Sequence, residues 1–301
     1  LAAIMFGMAV ATKFSVLPLG LALVFAHLIF ATSRRGDRYD SFGVVPDDAS
    51  KQRRIAYKNM LITAVVVLVV LIAVQPYMFI DFKTYVDNIS TQGQMVRREV
   101  DFPFTRQYED TPRYFYQAVQ LGTWGLGPAL GLTVLLGLIG SVIAGVLAQR
   151  KVDLVILAWV LPYLFITGWF DVKFMRYMMP ITPFLILYGA RFLWWVFEVI
   201  KSLQPSKRWL QVLPIGLILV FTVHYSFSFM NVYSGQHPLN EVSSWLRGNA
   251  DAGSQIVQEH WEEGIPGVTG LRMQERAELY NDENSKKFDK LTTLLSESDY
   301  F

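Results

Sequence analysis

The residues with the clearest chemical potential are a few cations beside long apolar runs. Lys173 and Arg176 lie in the short segment Asp171–Tyr177, DVKFMRY, between two such runs. Arg106 sits in the string Thr105-Arg106-Gln107-Tyr108, and Lys13 follows a short apolar run and closely precedes the next. A guanidinium pairs bidentately with phosphate oxygens, and an ammonium offers a compact point charge. In a water-poor site such groups hold an anionic headgroup or stabilise a departing phosphate. The competing use is snorkelling or simple headgroup contact, common for basic residues at the ends of membrane spans. The Arg97-Arg98 pair, in RREVD, reads as a solvated helix face. Gln107, Tyr108 and Trp124 belong to the same aromatic stretch, Asp101–Leu132, and are candidates for a substrate loop. Its Trp and Tyr also suit a headgroup belt.

Other polar groups carry less chemistry. His27 and His224 lie inside apolar runs, where a neutral imidazole can bond a helix carbonyl. His260 with Glu262 and Glu263 is a cluster of near-neighbours, a weak ligand set for a metal. No cofactor is evident, and a divalent metal is not readable from these residues. The chain has no Cys, which excludes disulfides, thiol nucleophiles and Cys-ligated metals.

The elements that must position these groups are membrane helices. Six long apolar segments fall at 16–32, 60–79, 123–148, 154–170, 178–200 and 209–231, each near the roughly 20 residues that cross a hydrocarbon core. The stretch Met60–Val74, MLITAVVVLVVLIAV, has no polar face, unlike a helix that meets water on one side. Hydrophobic residues are 52% of the chain and charged ones 17%. A net charge of +2 gives no basis for nucleic-acid binding. The expected class is therefore an α-helical polytopic membrane protein, with six complete spans and a partial one at Leu1–Ala11. Lys and Arg in the Ser33–Asn59 loop, at Arg150-Lys151 and at Lys207-Arg208 mark one face as cytoplasmic. The opposite, extracytoplasmic face receives Ile80–Gly122, Asp171–Tyr177 and the tail, so their cations run against the orientation rule.

Past the last span the pattern changes. Asn240–Gly248 and Asn284–Leu295 read as amphipathic helices, the second with Phe288, Leu291 and Leu295 on one face. Ser254–Glu259 alternates as a strand does, and Asp299–Phe301 opens another. The expected division is a transmembrane domain over 1–233 and the start of an extracytoplasmic α/β domain over 234–301. Both ends read as cut.

Several strings together resemble one family. PFTRQYEDTPRYFYQ followed by WGLGPALGL is similar to the later half of bacterial glycosyltransferases related to protein O-mannosyltransferases, the GT-C class. In the same order, Gly7–Ser15 resembles a helix end of that family. Gln75-Pro76-Tyr77 with Asp81-Phe82 resembles its exit into an outer loop. Lys173–Pro180 resembles its KFxRYxLPxxP turn, and His260–Gly264 resembles an HWDD motif of some outer domains. The resemblance implies inverting transfer of a sugar from a polyprenyl-phosphate donor to a protein or glycan acceptor, at the outer face of a bacterial cell membrane. It also implies that Lys173, Arg176, Arg106 and Lys13 bind the donor phosphate. The family's catalytic carboxylate lies in a first outer loop that would precede Leu1, so no base is assigned and this chain is expected to transfer no sugar alone. Two other classes stay open: a transporter or flippase of lipid-linked sugar, and a non-catalytic membrane scaffold.

Overall fold

The structure, a computed structural model, describes residues 1–33, 48–100, 102–147, 150–259, 264–268, 272–273 and 286–301. Six stretches among them are long and apolar enough to cross a membrane, at the six places expected. Before them comes α1 (Ala2–Thr12). A 3-10 turn at Phe14–Leu19 then leads into α2 (Gly20–Thr32). The remaining spans are α3 (Ala49–Val74), α7 (Pro128–Leu147), α8 (Lys151–Trp169), α9 (Thr182–Leu203) and α10 (Arg208–Met230). Between α3 and α7 run α4 (Tyr77–Ile80), α5 (Phe82–Val96) and α6 (Phe115–Gln120). The chain is a multi-pass membrane protein by helix length and apolarity.

The boundaries differ from the apolar runs for local reasons. α3 starts at Ala49, well before the run at Met60, because Asp48 caps it by accepting the Ser50 N–H at 2.8 Å. Its basic first turns are good helix formers. It stops at Val74 rather than reaching residue 79, since Gln75 precedes Pro76 and leaves the helical region. The run from residue 123 becomes helical only at Pro128. A π-helical turn, Leu121–Gly125, and Gly127 at φ 80° come first, and a proline's fixed φ suits a helix start.

Two compact units form, Leu1–Val100 with Tyr108–Val223, and Asp101–Gln107 with His224–Phe301. In the first, α7 lies against α9 and both meet α8. Trp159, Val160 and Tyr163 of α8 are buried with Leu185 and Tyr188 of α9 and with Ile181 just before it. The α7–α9 approach depends on missing side chains: a Cβ on Gly137 would collide with the Tyr188 carbonyl. One on Gly189 would lie 3.0 Å from Val134. Small residues give helices such close contact where lipid supplies no hydrophobic drive. The outward faces stay apolar, with Leu61 67% and Val220 65% exposed. Each such side chain would forfeit about 1.5–3 kcal/mol in water that hydrocarbon does not take.

Polar ties mark the two ends of this bundle. At one, Gln52 Nε2 donates to the carbonyls of Phe30 and Ser33, and Lys151 Nζ donates to Ser33 Oγ at 3.0 Å. Asp153 of α8, nearly buried, pairs with Arg191 of α9 near this end. At the other, Tyr163 donates to the Tyr177 carbonyl at 2.7 Å, and the Asp171 and Val172 amides donate to the Val96 carbonyl.

In the second unit, α11 (Pro238–Asn249) and α12 (Lys286–Glu297) flank sparse strand pairing. β1 (Gln255–Ile256) and β2 (Arg272–Met273) run parallel, and Tyr300 bridges Ile256. Of the strand expected over Ser254–Glu259, Gln255–Ile256 is strand and Glu259 a bridge, and within Asp299–Phe301 Tyr300 bridges Ile256 and its carbonyl accepts from the Val257 N–H. No sheet layer and no α/β domain form among the described residues. α12 buries Leu294, with Leu291 partly covered, and leaves Phe288 70% exposed, so the expected Phe288–Leu291–Leu295 face is rotated. The loop basic residues Arg34, Arg35 and Arg38, and the motif His260–Glu263, lie outside the described residues.

Candidate functional site

The site is a cavity of about 710 Å³ in the first unit, at the end where Lys13 and Tyr177 meet. The 3-10 turn supplies one wall through Phe14, Leu17 and Pro18. α5 supplies a second with Tyr85, Asn88, Ile89, Gln92, Gly93 and Val96. This is one face of a helix, spaced three and four apart. α8 and the following turn close the rest with Tyr163, Ile166, Thr167 and Phe170. The lining is overwhelmingly apolar, with Lys13 at its rim and no carboxylate among the described lining residues. Asp81 holds the α5 start in place by accepting the Thr84 N–H.

Of the four expected cations, Lys13 lines the cavity and Arg176 precedes its lining residue Tyr177. Lys13 ends α1 in extended backbone, and its Nζ lies 5.3 Å from the centre of the Tyr177 ring. Arg176 stands in the 3-10 turn Met175–Met178 with its guanidinium 4.1 Å over the Phe174 ring. Burial, and after it the repulsion of Arg176, pull the Lys13 ammonium below the ordinary lysine range. Neither cation makes an ion pair with a described residue. Two like charges held together without a carboxylate form a place for an anion. Tyr177 is pushed up by burial, with Arg176 opposing, so its ring is a neutral platform under Lys13 at neutral pH.

Lys173 is placed differently. It is 3% exposed, and its Nζ donates to Thr111 Oγ1 at 3.0 Å and to the Asp171 carbonyl at 2.9 Å. Burial lowers its affinity for a proton, Asp171 opposes this, and Arg113 and Arg98 add to it. It pins the loop and does not line the cavity. Around it, Arg113 pairs with Asp171 at 2.8 Å while stacking 4.3 Å over Trp169, and Arg98 pairs with Glu109 at 2.7 Å. Arg97 pairs with Glu99 on the surface, as a solvated face requires.

The substrate-loop candidates also separate. Tyr108 is buried, edge-on to Phe174 at 5.4 Å and to Tyr116 at 5.9 Å. Burial first, then Tyr116 and Tyr177, push its hydroxyl up to about 12, with Arg176 opposing. Tyr108 thus backs the ring that carries Arg176. Trp124 is 59% exposed in the π-helical turn and lies off the cavity. Arg106 and Gln107 belong to the second unit, where Arg106 is half-buried and exposed Gln107 donates to the Phe104 carbonyl at 2.7 Å. His27 has a partner, Thr63 Oγ1 at 3.3 Å. Among the described residues no group of acidic, His or Cys side chains is arranged to hold a metal.

Sequence reasoning missed α5. Its lining positions, Tyr85, Asn88, Ile89, Gln92 and Val96, keep a helical face that the sequence prints openly. Tyr163 and Thr167 were hidden because a span that is apolar all round does not show which side faces a cavity. Compared with known proteins, the chain matches no family model, no curated sequence and no solved structure.

Proposed function

We propose that this chain binds the phosphate end of a polyprenyl-linked sugar and serves a membrane glycosyltransferase at the extracytoplasmic face. The carrying observation is Lys13 in the lining of an apolar cavity between membrane helices, over the ring of Tyr177 that also lines it, with Arg176 in the adjoining turn. Such a site suits an amphiphile with an anionic head and a hydrocarbon tail. The ordered strings resembling GT-C enzymes support the same reading and add the sugar and the inverting transfer. Lys13 and Arg176 would stabilise the phosphate as it leaves. The attacking hydroxyl, from a protein or glycan, needs a carboxylate base; none lines the cavity among the described residues. Lys173 does not line the cavity, and its two hydrogen bonds tie the loop, so Lys13 and Arg176 are put first in this role.

The test is donor turnover by the full-length protein in vesicles. The expected result is release of polyprenyl phosphate from a polyprenyl-phosphate hexose, with inversion at the anomeric carbon. Transport of the intact lipid-linked sugar without cleavage would replace the transferase with a carrier. Absence of both, with no binding of polyprenyl phosphate, would leave a scaffold.

A further inference from the structure

One side of α3 packs on α1 and α2, and the side turned away from them is ordered along its length. In the first turns Gln52 and Ala56 are buried, with Gln52 bonded to the carbonyls of Phe30 and Ser33. Lys51, Arg54 and Lys58 are exposed on the opposite side, spaced three and four apart. None of the three makes an ion pair with a described residue. The neighbouring carboxylate, Asp48, accepts the Ser50 N–H. Continuing down the same side at helical spacing come Leu61, Val65, Leu68 and Ile72, each at least 49% exposed. α3 has 26 residues, so it is about 39 Å long against a hydrocarbon core of about 30 Å. The charged turns therefore stand in the headgroup layer and the apolar lane lies in the core. Three cations over about 10 Å, directly above that lane, match a molecule with an anionic head and acyl chains.

We propose that this side of α3 seats an anionic phospholipid, its phosphate among Lys51, Arg54 and Lys58 and an acyl chain along Leu61, Val65, Leu68 and Ile72. The lipid comes from the leaflet at the Ser33 end of the bundle, cytoplasmic by the loop charges. The seat stands apart from the donor reading, since the Lys13 cavity lies at the opposite end, with Tyr177. Snorkelling alone would lift the three cations to water singly. Their alignment above one continuous apolar lane instead lets a single lipid meet all of them. The bound lipid neutralises a helix end where Gln52 and Lys151 already converge on Ser33, and so holds α3 to α2 and α8 there.

The experiment counts the lipids that native mass spectrometry finds on the protein released from nanodiscs of phosphatidylcholine with a minority of phosphatidylglycerol. The expected result is phosphatidylglycerol retained at about one per chain, enriched about tenfold or more over its share of the bilayer. Lys51→Gln with Arg54→Gln should abolish the enrichment. Lys207→Gln with Arg208→Gln, an equal loss of exposed charge at the same end, should keep it. No enrichment in the wild type, or equal effects of the two pairs, overturns the seat and leaves only bulk attraction. Melting in pure phosphatidylcholine checks that each variant folds, and should the first pair not fold, the wild-type enrichment and the two competitions that follow still decide. Glycerophosphoglycerol, the soluble headgroup, should not displace the lipid; if it does, the apolar lane holds nothing and the ligand is not a lipid. Undecaprenyl phosphate should leave the retained phosphatidylglycerol in place, and displacement would overturn the separate seat. Failure of undecaprenyl phosphate to bind at all would sink the donor reading and, with the enrichment intact, support the seat as independent of it.

Discussion

At the scale of single residues, the site turns on how two similar cations were spent. Lys173 and Arg176 are three positions apart and equally suggestive in the sequence, yet one is buried and bonded and the other faces out. Arg176→Ala is expected to weaken polyprenyl-phosphate binding about ten- to a hundredfold, the loss of a charged hydrogen bond worth roughly 1.5–3 kcal/mol. Arg176→Lys should restore only part, lacking the fork. Lys173→Met should leave that affinity unchanged but lower thermal stability, by roughly 1–3 kcal/mol for the partners it strands. Comparison of binding and melting for both positions separates the roles, and loss of affinity in a folded Lys173 variant would return it to the site. Lys13 adds a pH signature. Its ammonium gives up its proton below the usual lysine range, and a bound phosphate restores the charge. Binding therefore takes up a proton in that window, and affinity falls as pH rises through it. Lys13→Arg, which does not titrate there, should flatten the curve; an unchanged slope would show that Lys13 is not a ligand.

At the scale of elements, the spans were legible because about 20 apolar residues in a row have few other uses. Their contacts were not, since α7 is apolar on all sides and only burial distinguishes Gly137 from Gly140. The structure separates them: a Cβ at Gly137 meets the α9 backbone, and one at Gly140 meets nothing within 4 Å. Gly137→Ala should cost about 1–3 kcal/mol as an overpacked contact. Gly140→Ala should be neutral or gain up to about 1 kcal/mol from helix propensity. Melting in the same detergent compares the pair directly, and equal effects would mean that α7 does not approach α9 as described. The strands of the tail are shorter than the alternation in Ser254–Glu259 suggests, regular pairing among the described residues being at Gln255–Ile256 with bridges beside it.

At the scale of the whole molecule, sidedness is the property that the apolar helices leave to the loops. Cys placed singly at Ser90 and Ser244, both exposed, should react with an impermeant thiol reagent in intact cells, while Cys at exposed Ser50 should not. Ser254 is too buried to serve as such a probe. The reverse labelling would put Lys13 and Arg176 on the cytoplasmic side and undo the donor assignment. What no loop count reveals is how the chain enters the bilayer at all. Arg191 sits within the least apolar of the six spans and pairs with the first turn of α8, and an unpaired charge carried into a span is costly. Its counter-charge, Asp153, is carried by the preceding helix. Inserted together, α8 and α9 would carry the two charges into the bilayer as a pair; inserted singly, each would carry its charge without a partner.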